Sequence, residues 1–183
     1  MNKFFLVLSF LIVCTTIVAQ KKEFISIAIN GERKNAQSIR NNFAFSYEKQ
    51  ISKHNGLEIG LNERGSERYT VGSYSNGTFQ TFNVLENYFT MPFLYKFSSN
   101  ILNLSTGVSF DYFVGWKDIT KFGDTELTSY SINPKIQVGW VFKISKSIPL
   151  TTKFLLEPEI YFNPIFNYGY SYSGLSMKLK YQL

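Results

Sequence analysis

Cysteine is almost absent from this chain of 183 residues: Cys14 is the only one and lies within the first twenty, so no disulfide can staple the remainder of the chain. Histidine is equally scarce. His54 stands alone, which leaves little for transition-metal ligation and removes the usual general base of acyl or peptidyl transfer near neutral pH. After residue 20 no apolar run is long enough for a membrane-crossing helix, which takes about 20 residues. Any crossing must then be made by strands. The chain also offers no phosphate-cradling glycine loop and no defensible Ser–His–Asp arrangement. No cofactor is expected.

What is present begins with a leader. Lys3 gives a short positive start, Phe4 to Val13 is almost unbroken apolar sequence, and Thr15 to Ala19 ends on a small residue before Gln20. That is the layout of a secretory signal peptide, expected over residues 1–20 and cleaved to leave one domain over 21–183. The apolar core is short for an uncleaved anchor. A lipoprotein signal would want a small residue before Cys14, where Val13 stands. Basic residues exceed acidic ones, 19 to 13, but they are scattered. An exported chain with scattered charge is not expected to partner nucleic acid, and the excess reads as lumen and loop composition.

Almost every later segment alternates with period two, the signature of strands. Eight runs stand out: Ile25–Ile29, Phe43–Tyr47, Leu57–Leu61, Phe89–Phe97, Leu102–Trp116, Ile132–Ile144, Thr152–Phe162 and Leu175–Leu183. The 40 alternate positions on their apolar faces hold no charge. The 32 positions interleaved with them hold ten: Glu58, Lys96, Asp111, Lys135, Lys143, Lys153, Glu157, Glu159, Lys178 and Lys180.

Alternation alone does not say which face points inward. A soluble lipocalin-like calyx turns its apolar face to a cavity, whereas an outer-membrane barrel turns it to lipid. Three features favour lipid. The connections Ser52–Gly56, Ser98–Asn100 and Ser145–Pro149 are tight, while Gly31–Ser38, Gly65–Thr78, Lys117–Ser129 and Asn163–Ser173 are longer, as in barrels with short periplasmic turns and long outer loops. Aromatics gather toward run ends (Tyr95, Phe97, Trp116, Trp140, Phe142, Tyr181), where interfacial girdles lie. Small residues Asn103, Ser105, Gly107 and Ser109 share the charged face, as a narrow lumen requires. Pro92, Pro134 and Pro158 fall inside runs and each removes a ladder donor; bulges are the expected remedy.

From Tyr88 to Lys117 the chain also resembles the small outer-membrane β-barrel domain family widespread in the Bacteroidota. Met91-Pro92-Phe93-Leu94-Tyr95-Lys96-Phe97 matches the family's strand of aliphatic, proline, aliphatics and Lys-aromatic. Gly107 matches its following glycine element loosely, with Asp111 standing where a second glycine is common, and the leader end Val18-Ala19-Gln20 is similar to leaders in that group. The resemblance covers about thirty residues. It implies fold and location and little about activity.

Two groups of residues compete for a functional role. Glu157 and Glu159, spaced i and i+2, form a candidate carboxylate pair, but six lysines of the ten interleaved charges face the same interior. An eight-stranded barrel is just wide enough to be filled by its own side chains, so these ten read as a structural charge lattice. The loops offer Tyr69 and Tyr74 in one and Phe166, Tyr168, Tyr170 and Tyr172 in another, set among Ser, Gly and Asn. That composition suits recognition, or extends the outer girdle. Asn76-Gly77-Thr78 reads as an accidental glycosylation pattern. The sequence thus predicts an all-β, eight-stranded antiparallel up-and-down transmembrane barrel with both termini periplasmic. It would be non-catalytic, embedded in outer-membrane lipid and plugged, with outer loops that contact another envelope protein or an extracellular ligand. A narrow pore and a soluble periplasmic calyx are the alternatives.

Overall fold

The computed structural model describes residues 22–35, 37–73, 79–120, 127, 129–166 and 168–183. The expected leader, Tyr74 and the Asn76 pattern lie outside them. The described residues form one antiparallel sheet of nine strands: β1 Glu23–Lys34, β2 Arg40–Gln50, β3 Asn55–Ser73, β4 Phe79–Ser98, β5 Asn103–Asp118, β6 Ile136–Ser145, β7 Ile148–Pro149, β8 Phe154–Pro164 and β9 Ser171–Gln182. Eight of these make the wall. β7, with two residues, only decorates the turn between β6 and β8, which is why eight runs in the sequence become nine strands. Each wall strand pairs with its chain neighbours, β9 returns to β1, and β6 pairs with β8 to close the barrel.

The wall has two unlike faces because side chains alternate along each strand. Ile27, Phe43, Phe45 and Ile160 point outward at 55%, 65%, 60% and 61% exposure. On the opposite parity Lys96, Asp111 and Glu157 are buried. The calyx alternative fails on this point: its interior would be apolar, and here the charges are inside. A 12-residue strand such as β1, at about 3.3 Å per residue and a tilt near 40°, covers the roughly 25 Å apolar band of a membrane barrel. A closed wall with an apolar exterior and every strand paired is the arrangement hydrocarbon demands of strands.

The β6–β8 seam shows how closure is achieved with imperfect backbone chemistry. Its ladder runs from Phe142↔Phe162 to Ser145↔Glu159 and resumes as an isolated bridge at Gly139↔Ile165. In that register Trp140 lies opposite Pro164, which has no N–H to give. The Asn163 side-chain amide donates to the Trp140 carbonyl instead, at 3.1 Å, and to Ser109 Oγ at 3.0 Å. Gly139 makes the room: a Cβ there would stand 2.6 Å from Asn163 Nδ2 and 2.8 Å from the Pro164 carbonyl.

The prolines do not use the bulges expected of them. Pro92 holds register with Ser109 on β5 with no shift at that point. The Pro158 carbonyl accepts from Lys146 N at 3.3 Å, so its donor-less side faces the stretch where β6 has already ended. Pro134, expected on the lipid face of a strand, lies ahead of β6 altogether, and Ile132 of the same run is buried. The register shift on the β4–β5 pair falls at Asn87/Tyr88, with Val114 the extra residue of β5. Beyond it every side chain changes face. Trp116 therefore pairs with Glu86 and packs edge-on to Tyr130 at 5.8 Å, away from the expected girdle. The Gly65–Thr78 loop is also shorter than expected, because Gly65–Ser73 and Phe79–Asn87 pair as a continuation of β3 and β4 beyond the apolar band.

Gly139→Ala is expected to destabilise the barrel by about 1–3 kcal/mol through overpacking of the seam. Gly115→Ala, where a Cβ would meet nothing within 4 Å, should change stability by less than about 0.5 kcal/mol. Urea unfolding followed by tryptophan fluorescence checks the contrast.

Candidate functional site

The lumen is filled in layers, each built from side chains that the pleat aims inward. Nearest the chain termini, Glu48 and Glu157 meet Lys96 and Lys180. Lys180 Nζ lies 2.6 Å from Glu48 and 3.0 Å from Glu157, Lys96 lies 3.0 Å from Glu48, and Lys96 also pairs directly with Glu157. Ser145 donates to Glu157 at 2.5 Å. The next layer sets Glu58 and Glu159 against Lys143 and Lys178, with contacts of 3.0 Å, 3.5 Å, 3.0 Å and 2.7 Å. Above it Arg64 binds Glu32 with two N–H groups at 2.8 Å and 2.9 Å and Asp111 with a third at 2.6 Å. Its guanidinium also stacks 4.0 Å over the Tyr172 ring, while Tyr161 donates to Glu32 at 3.0 Å.

The far mouth is closed by aromatics around one more acid. Glu86 accepts from Tyr88 at 2.8 Å, from Tyr130, and from Arg68 Nε at 3.1 Å. Gln137 donates to the Tyr88 hydroxyl at 3.0 Å and accepts from Tyr170 at 2.5 Å. Lys34 sits 4.2 Å over the Tyr170 ring. Burial, with Glu86 nearby, pushes the Tyr170 phenol up to about 12. Tyr170 and Tyr172 meet edge to face at 5.7 Å.

Among the described residues these layers bring together seven acids (Glu32, Glu48, Glu58, Glu86, Asp111, Glu157, Glu159) and seven bases (Lys34, Arg64, Arg68, Lys96, Lys143, Lys178, Lys180). The lumen is neutral by composition. Space between the middle layers amounts to a cavity of about 30 Å³, room for about a water molecule or two. The arrangement can hold charge in place and block passage. Among the described residues it sets no nucleophile beside a free base: His54 donates its Nδ1 hydrogen to the Ser98 carbonyl at 2.9 Å in an exposed turn.

Eight of the ten interleaved charges lie in these layers; Lys135 and Lys153 do not. Lys135 is exposed in the segment before β6, and Lys153 is exposed in the turn before β8, 5.7 Å from the Tyr181 ring. Period-two parity carries no meaning past a strand end, and water is the better solvent for a lone ammonium. Of the loop aromatics, Tyr69 and Phe166 are exposed, and Tyr168 is half-buried. Tyr170 and Tyr172 are buried plug residues, a correction to their expected surface role. Tyr172 shares parity with Lys178 and Lys180 on β9, so its direction was readable from the strand itself. Glu32, Lys34, Glu48, Arg64, Arg68 and Glu86 went unnoticed. The apolar runs stop short of them, yet the pleat continues, and extending each run's parity would have found them.

Solved structures share this fold. The attachment invasion locus protein Ail of Yersinia pestis, solved in complex with the heparin analogue sucrose octasulfate, aligns with a TM-score of 0.51 and 10% identity over 90% of this chain and 100% of that one. The N-terminal β-barrel domain of Pseudomonas aeruginosa OprF aligns at 0.49 and 13% identity, covering 88% and 100%. At 10% identity the likeness to Ail is one of fold. No protein-family profile matches the chain, and no curated protein does.

Glu157→Gln leaves Lys96 and Lys180 short of a counter-charge in a buried layer, and should cost about 3–5 kcal/mol. Lys135→Gln and Lys153→Gln should each fall within about 0.5 kcal/mol of the parent. Thermal and urea unfolding of the three variants side by side reads the difference.

Proposed function

We propose that the chain is an exported, non-catalytic outer-membrane protein. Residues 1–20 direct export and are removed, and residues 21–183 sit in outer-membrane lipid with both termini in the periplasm. One observation carries this reading: the wall is apolar outside and lined inside by layers of paired charges. In water such a surface would be a large exposed apolar patch of the kind that marks an interaction face. In lipid it is the solvated face. The Met91–Phe97 element supports kinship with the small barrels of the Bacteroidota, and the neutral, filled lumen favours a closed plug over a pore.

The working surface on this reading is the far end, which faces outside the cell. There β3 and β4 rise beyond the apolar band as a hairpin carrying exposed Tyr69, and the β8–β9 connection carries exposed Phe166. Exposed aromatics on a rigid scaffold give contact area at low entropic cost. The partner is an envelope protein or an extracellular ligand, and the lumenal acids and lysines serve stability.

Envelope fractionation followed by gel mobility with and without boiling tests the location: the protein should enter the outer-membrane fraction and shift on boiling. Soluble recovery without a shift would sink the proposal. Ile27→Arg should then lower stability in vesicles by about 2–4 kcal/mol if Ile27 lies near the bilayer midplane. In planar bilayers the parent protein should give no steady conductance, and a Tyr69→Ala, Phe166→Ala double variant should stay folded while losing adhesion to its partner surface.

A further inference from the structure

The mouth that carries the chain termini is built unlike the far one. A cavity of about 430 Å³ lies there, between the start of β1, the turn holding Lys53 and His54, and the turns around Asn100 and Thr152. Its floor includes Glu48 and Lys180, members of the layer in which Glu48 and Glu157 are balanced by Lys96 and Lys180. Glu48 is the sole carboxylate on the cavity wall among the described residues, and both lysines of that layer bind it. Lys22 and Lys53 stand over this neutral floor, and neither has an ion pair among the described residues. The remaining wall is rich in donors, with the hydroxyls of Thr151 and Thr152 and the amides of Asn100 and Gln182. His54 adds an imidazole whose Nδ1 is already given to the Ser98 carbonyl.

Two uncompensated ammonium groups in a recess of donors form a receptor for an anion. The match in charge and in hydrogen-bond count is a group with close to two negative charges and three or more acceptor oxygens. That describes a phosphate monoester or pyrophosphate better than a carboxylate. Lys146 and Lys153 are also exposed at this end, but neither lines the cavity. At the far mouth, by contrast, Arg64 and Arg68 are held by Glu32, Asp111 and Glu86.

We propose that this vestibule is a phosphate-binding site, occupied by the monoester headgroup of a phosphatidate-type lipid or by a free phosphorylated molecule. The full-length protein, purified in neutral detergent and titrated with inorganic pyrophosphate by calorimetry, should bind it. A Lys22→Gln, Lys53→Gln double variant should bind at least about tenfold more weakly. A Lys146→Gln, Lys153→Gln variant, equal in charge lost but outside the cavity, should bind like the parent. Both variants lie outside the long strands, and their retained mobility shift on boiling shows that they fold. Repeating the titration in phosphatidylcholine nanodiscs with and without phosphatidic acid separates the sources: competition by the lipid assigns the site to a headgroup, and undiminished pyrophosphate binding assigns it to a soluble phosphate. Absence of pyrophosphate binding in detergent, or equal weakening in the two variants, overturns the proposal.

Discussion

A tube of eight strands has an interior of nearly fixed width, and any charge placed in it must find its counter-charge there. An isolated carboxylate or ammonium away from bulk water is costly enough to neutralise itself. The lumen meets this constraint layer by layer. Two acids face two bases in each of the two layers nearest the termini. In the third, Arg64 spans Glu32 and Asp111 with both edges of its guanidinium, a geometry lysine could not supply. The same pairing fixes these side chains across the bore. The pairing need not exceed an apolar filling in stability; what it cannot tolerate is the loss of one member.

The wall obeys a second constraint, that of backbone satisfaction, and shows where it bends. The β6–β8 seam closes the barrel although one of its positions is a proline. Asn163 supplies the missing donor from its side chain, and Gly139 leaves the space for it. The Val114 bulge costs a ladder position and gains a change of face. It turns Trp116 toward Tyr130 and Glu86, so that the last turns of β5 line the far mouth. These local departures from regular pairing place the plug.

The two mouths consequently differ in chemistry. Among the described residues the far one is lined by Tyr88, Tyr130, Tyr170 and Tyr172, with Arg64 stacked on Tyr172, and Tyr69 and Phe166 are exposed there. The other is a donor-lined recess with two lysines to spare.

Much of this was legible in the residues. Period-two alternation set which side chains share a face, because the pleat alternates strictly, and the absence of charge on one parity marked the face that meets an apolar surrounding. Glu58, Lys96, Asp111, Glu157 and Lys178 came from that rule alone. Where strands end was not legible: Lys135 and Lys153 sit on the charged parity yet lie beyond β6 and β8, and the apolar runs broke off before Glu32, Arg64 and Glu86 although the strands carry on. Those limits depend on pairing with neighbours distant in sequence. The partners of each charge, the flip of Trp116 at the bulge and the burial of Tyr170 and Tyr172 depend likewise on the register between strands, which is set only when the barrel closes.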